Sequence, residues 1–244
     1  VRVDTLALQM RPRAAHEAAD LGIRLCQAAA SEVYRCYLLV AIPVALLCFA
    51  LFEIRPWLPM LTLWWLKPWL DRTVLYVLSR AAFGQRTTVG DLWRDKWQVW
   101  FGQLLLTLTW RRLSPWRSFT QAVYQLEGHS FFRLRQRIVQ IRRKYTGPAA
   151  VMTAAFSFSE EGLMLAFFSL AFWLVPGDSG FDFTAVLSDE GNVHLQLISS
   201  IAYVLAVLFL EPFYVAAGFG MYLNRRAELE AWDIEQEFRR AFTP

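Results

Sequence analysis

Four stretches of the chain stay apolar long enough to cross a bilayer: Val33 to Phe52, Trp57 to Gly84, Pro148 to Val175 and Leu195 to Leu223. Each is near or above the roughly 20 residues that a helix needs to traverse the hydrocarbon core. Between the first two lies only "EIRP", room for a tight turn, so they are expected to form an antiparallel hairpin. Ahead of them, Arg13 to Glu32 places Ala14, Ala18, Leu21, Leu25 and Ala28 at helical spacing, which predicts an amphipathic helix leading into the first span. Between the second and third runs, "WQVWFGQLLLTLTW" (97 to 110) is apolar but too short to span, carries a tryptophan at each end and runs into Arg111 and Arg112. Such a segment is expected to lie in the membrane interface. The expected fold class is therefore all-α: a single polytopic membrane domain of four transmembrane helices with amphipathic and interfacial helices on the cytoplasmic side.

Composition agrees with that class. The 244 residues are 56% hydrophobic and include 11 tryptophans, rich for a soluble domain of this length. The N-terminus lacks the apolar core and small-residue cleavage site of a secretory signal, so the first run is expected to be retained. Charge then orients the spans. The connection from residue 85 to 147 carries twelve Lys and Arg against Asp91, Asp95 and Glu127, whereas residues 176 to 194 hold Asp178, Asp182, Asp189 and Glu190 without a lysine or arginine. By the positive-inside rule the basic connection is cytoplasmic and the acidic loop external. Parity places both termini in the cytoplasm, with residues 224 to 244 as a cytoplasmic helix. A re-entrant fold of residues 57 to 84 would put the basic connection outside, against the charge asymmetry.

Within the spans the sequence is unexpectedly charged. "WWLKPWLDR" (64 to 72) brings Lys67, Asp71 and Arg72 into the second run, the third holds Glu160 and Glu161, and the fourth holds Glu211. A charge at bilayer centre costs roughly 2.5 to 3.5 kcal/mol on insertion scales, so these groups are expected to face one another. Lys67 and Asp71, four apart, are expected to pair within their helix. Arg72 points about 100 degrees away and is expected to reach Glu160, Glu161 or Glu211. Pro68 and Pro212 each follow a charged residue, and each is expected to kink its helix and free a carbonyl one turn back, at Trp64 and Leu208. Two roles are open to this network: a structural clasp that fixes helix pairing, or a proton, ion or substrate conduit of the kind built from broken helices and midplane acids.

The remaining basic residues read as a membrane-surface anchor. In "FFRLRQRIVQIRRKY", Arg133, Arg135, Arg137, Arg142, Arg143 and Lys144 lie just before the third span. With Arg111 and Arg112 they are expected to contact anionic lipid headgroups, and this position favours lipid over nucleic acid. Enzymatic signatures are missing from the sequence. His16, His129 and His194 fall in separate regions, Cys26, Cys36 and Cys48 form no zinc or disulfide spacing, and no phosphate loop or nucleophile elbow is present. No catalytic residue, metal or cofactor is expected.

The stretches "LKPWLDRTVLYVLSRAAFG" (66 to 84), "LTWRRLSPWRSFTQAVYQLEG" (108 to 128) and "FYVAAGFGMYLNRRAELEAWDIEQEFRR" (213 to 240), with the N-terminal "AADLGIRL", resemble inner-membrane proteins of Gram-negative bacteria encoded beside a MoxR-type AAA+ ATPase and a von Willebrand A protein. The resemblance covers most of the chain. Members of that group commonly continue past the arginine-rich cytoplasmic helix into a further soluble domain. It implies a partner-dependent, non-enzymatic scaffold or adaptor in the inner membrane, docking those cytoplasmic partners, and a homo-oligomer is compatible with it. The alternative is a proton-coupled or lipid-handling transporter subunit that uses the midplane charges.

Overall fold

The computed structural model describes residues 13–102, 107–109, 112, 114–127, 131–174 and 193–230; the side chains of 131–133 and 171–172 are not described. Among these the chain is all-helical, with no strand. Helix α1 spans Ala15–Ala28, α2 Ala30–Phe49, α3 Leu58–Ala81, α4 Val89–Arg94, α5 Arg117–Leu126, α6 Phe131–Trp173 and α7 Val193–Glu230, with a π-helical turn at Trp97–Phe101. The acidic loop before Val193, the segment beyond Glu230 and residues 1–12 lie outside the described residues.

Helix α1 is amphipathic, as its spacing predicts, but its apolar face meets protein. Ala18, Gly22, Leu25 and Cys26 are buried. A Cβ on Gly22 would stand 2.0 Å from the Ala216 carbonyl oxygen, and one on Gly220 2.2 Å from that of Ala18. The backbones of α1 and α7 therefore touch, which small residues four apart on each helix permit. Asn224 fastens the entry to α1, accepting the Arg13 N–H at 3.0 Å and donating to the Arg13 carbonyl at 2.9 Å.

Helices α2 and α3 form the expected hairpin, joined by a run of turns over residues 50–57. Among the described residues three helices are long and apolar enough to cross a membrane: Ala30–Phe49, Leu134–Leu170 within α6, and Val193–Glu230. The expected fourth, α3, has the length at 24 residues, but Lys67, Asp71, Arg72 and Arg80 take it out of that class. Its surroundings differ accordingly. Lys67, Pro68, Leu70, Asp71, Arg72, Thr73, Val74, Leu75, Val77 and Leu78 are all buried, so α3 is enclosed on every side over this stretch, against α2, α5, α7 and the π-helical turn. By contrast α7 between residues 193 and 210 shows one apolar stripe outward, Leu197, Ile201, Leu205 and Phe209, four apart, and then buries almost every residue from Glu211 to Asn224.

Two sequence boundaries move. The third run was expected to begin at Pro148, yet α6 is one helix of 43 residues that joins the basic stretch to the apolar one through Pro148. Packing on α7 along Ile141, Tyr145, Ala149 and Met152 carries the helix across the proline. The connection from 85 to 147 is also more than an interfacial loop: α5 is buried on all sides from Arg117 to Val123, between α3, α6 and α7. A helix that is covered all round belongs to a core. Here the fit is close enough that a Cβ on Gly218 of α7 would fall 2.4 Å from the Ser118 hydroxyl.

Candidate functional site: a buried charge cluster and its cavity

The charged residues of α3, α6 and α7 do converge, through partners other than those expected. Lys67 Nζ lies 2.5 Å from Glu160 Oε2 and 2.7 Å from Glu211 Oε2, so it links α3 to both α6 and α7. Asp71 does not pair with Lys67 along the helix. Its carboxylate meets Arg117 of α5 at 3.3 Å, and the same Arg117 Nη2 reaches Glu211 Oε1 at 2.6 Å. The i, i+4 pairing is displaced because two cross-helix acids approach Lys67 more favourably. Glu211 holds a cation on each of its oxygens. Arg117 also lies over the ring of Tyr214, 5.1 Å from its centroid, and the Tyr214 hydroxyl shares a hydrogen bond with Thr153 at 3.2 Å.

Arg72 contradicts its expected role. It makes no ion pair with Glu160, Glu161 or Glu211; instead its Nε donates to the Val99 carbonyl, with further donation to Thr107 Oγ1 at 3.3 Å and the Gln98 carbonyl at 3.4 Å. The Gln98, Val99 and Trp100 carbonyls of the π-helical turn all accept from side chains of α3, and a guanidinium with five donors in a fork suits that edge. Trp69 and Trp100 hold this turn on α3: Trp69 Nε1 donates to the Trp100 carbonyl at 3.2 Å and Trp100 Nε1 to Thr73 Oγ1 at 3.0 Å. Glu161, one residue after Glu160, is exposed and outside the paired cluster.

Of the two carbonyls expected to be freed by proline, the one at Trp64 has a side-chain partner. The Trp64 carbonyl that Pro68 deprives of a helical donor accepts from Arg112 Nη2 at 2.5 Å, and the Arg112 guanidinium lies over the Trp64 ring at 3.7 Å. Further along α3, Gln121 donates to the Pro68 carbonyl at 3.1 Å and Gln125 to the Arg72 carbonyl at 2.8 Å. Helices α3 and α7 both run through their prolines without ending.

Arg112, expected at the lipid surface, is therefore buried. Others of the basic set are also engaged within the fold: Arg137 between Glu127, at 2.9 Å, and Glu230; Arg142 over the Trp116 ring at 3.6 Å; Lys144 at 3.5 Å from Glu228. Only Arg135 and Arg143 stand exposed among the described members without such a contact, while Arg111 and the Arg133 side chain lie outside the described residues. The acids at the end of α7 draw this face of α6 inward.

A cavity of about 310 Å³ opens beside the cluster. Lys67, Arg112 and Arg117 line it together with Glu160, Glu161 and Glu211, and with the aromatic Trp64, Phe156, Tyr203 and Tyr214. Arg117 is the cavity residue that the sequence did not single out, and Arg112 is the one it placed at the lipid surface instead. One signal pointed outside the apolar runs: in the last three of them the acids, Asp71, Glu160, Glu161 and Glu211, outnumber the cations, Lys67, Arg72 and Arg80. Compared with protein-family models, curated proteins and solved structures, the chain matches none.

Proposed function

We propose that this protein is a non-enzymatic scaffold of a bacterial inner membrane, crossing it four times by α2, α3, α6 and α7 with both termini in the cytoplasm. It would serve a MoxR-type AAA+ ATPase and von Willebrand A partner in envelope maintenance or complex assembly. The observation that carries the reading is the clasp. Lys67, Asp71, Glu160, Glu211 and Arg117 tie α3, α5, α6 and α7 together through four ion pairs of 2.5 to 3.3 Å. A buried ion network of this kind contributes little net stability but fixes which helices meet and in what register. The enclosure of α3 supports its place as a fourth crossing, since its charges face protein rather than lipid. Pull-down of the intact protein from native membranes tests the partner. An AAA+ ATPase and a von Willebrand A protein are the expected co-purifying species, and their absence from a stable preparation overturns the adaptor role.

One observation favours a second reading, a proton-coupled or lipid-handling transporter subunit: the clasp lines a cavity instead of closing on itself. Glutamine at Glu160 or Glu211 separates the two. A scaffold loses assembly with either change, whereas a conduit stays assembled and loses flux.

A further inference from the structure

The cavity contains a cation that the clasp does not use. Arg112 is only 7% exposed, and no carboxylate of the described residues pairs with it, because Glu160 and Glu211 are held by Lys67 and Arg117. One guanidinium nitrogen is given to the Trp64 carbonyl, while its Nε is buried with no hydrogen-bond partner. The Nε is closed off from the cavity, but the guanidinium as a whole lines it without a carboxylate partner among the described residues, and such a group is a place for an anion.

The mouth of the same cavity has the opposite character. Ser157 and Glu161 line it, both are exposed, and Glu161 makes no ion pair with any described residue. The three lining cations are balanced by three lining acids, and Asp71 behind Arg117 adds a further negative charge. A simple anion meets that excess, whereas a ligand carrying both signs satisfies Arg112 and Glu161 together. Beside the mouth, Phe158 and Leu165 of α6 are 78% and 58% exposed, an apolar track leading away from the charges.

We propose that this cavity binds the headgroup of a zwitterionic phospholipid, its phosphodiester at Arg112, its ammonium at Glu161 and its acyl chains along α6. The assignment rests on the lipid-handling reading and names its ligand class. Native mass spectrometry of the delipidated full chain in detergent is the test, with dioleoyl phosphatidylethanolamine, dioleoyl phosphatidylglycerol and inorganic phosphate as probes. Phosphatidylethanolamine should bind about tenfold more tightly than phosphatidylglycerol, as expected for one charge-assisted contact. Arg112→Gln should weaken both lipids about tenfold, and Glu161→Gln should abolish the preference between them.

Ser157→Phe, at the exposed mouth, blocks entry without touching the clasp, and covers the case in which Arg112→Gln does not fold. Equal binding of the two lipids overturns the proposal, as does wild-type binding by Ser157→Phe or displacement of lipid by phosphate at equal concentration. Transport is judged separately, with labelled phosphatidylethanolamine in vesicles. Binding without movement between leaflets keeps the site and removes the transporter.

Discussion

Glu211 is the residue on which the clasp turns, because each of its oxygens holds a different cation. Removing its charge leaves Lys67 with Glu160 alone and Arg117 with Asp71 alone. Breaking a buried pair from one side costs about 3 to 5 kcal/mol. Glu211→Gln is expected near the lower end, about 3 kcal/mol, since both cations keep one acid. Glu161→Gln, one residue from the network but exposed and unpaired there, should change stability by less than about 0.5 kcal/mol. Thermal melts of the two variants in one detergent compare them directly; equal losses would show that the clasp is not what holds the bundle. The charged character of this centre was legible from Lys67, Asp71, Glu160 and Glu211. Their pairing was not, since the partner cation Arg117 comes from a connecting helix about 45 residues further along the chain than Asp71.

At the scale of elements, close backbone approach and capping decide the outcome. Gly220→Ala drives a Cβ into the Ala18 carbonyl and must separate α1 from α7, a cost of about 1 to 3 kcal/mol. Gly162 on α6 has open space around the same position, so Gly162→Ala should instead stabilise by about 0.5 to 1 kcal/mol through helix propensity. Opposite shifts in melting temperature are the expected result, and shifts of one sign would mean that α1 does not pack on α7.

Helix α4 carries a capping box: Asp91 accepts from the Thr88 N–H at 3.0 Å, and Thr88 Oγ1 accepts from the Asp91 N–H at 3.3 Å. Donation from the Thr88 backbone and then its hydroxyl holds the Asp91 carboxyl below its ordinary 3.8. A lowered folded value means that the cap is intact above about 3.8 and lost as pH falls through the folded value. Thr88→Ala should cost about 1 kcal/mol near neutral pH. Amide exchange of α4 followed between pH 7 and pH 3 checks the linkage, and protection that rises on acidification would contradict it.

For the whole molecule, the outward apolar residues say which surface meets lipid. Leu46 and Leu47 on α2, Val151 and Phe158 on α6, and Ile201 and Phe209 on α7 are all exposed. With four crossings, Arg94→Cys on the basic connection should react with an impermeant maleimide only from the cytoplasmic side, and Asp189→Cys in the acidic loop only from outside. The native Cys26, Cys36 and Cys48 are buried and should contribute little background. Glu53→Cys, exposed in the α2–α3 turn, should likewise label only from outside; its labelling from the same side as Arg94→Cys would remove α3 from the crossings and leave the three helices that qualify by composition alone.

The all-helical class, the α2–α3 hairpin, the amphipathic face of α1 and the presence of charge amid the apolar runs could all be read along the chain, because each depends on local periodicity and length. The enclosure of α3, the continuity of α6 across Pro148 and the entry of α5 into the core with Arg117 emerge only on packing. These outcomes depend on contacts between residues distant in the chain. Lys67 chose Glu160 and Glu211 over Asp71, and Arg72 chose the backbone carbonyls of the π-helical turn, because the competing acids and carbonyls are brought into reach only when the helices pack.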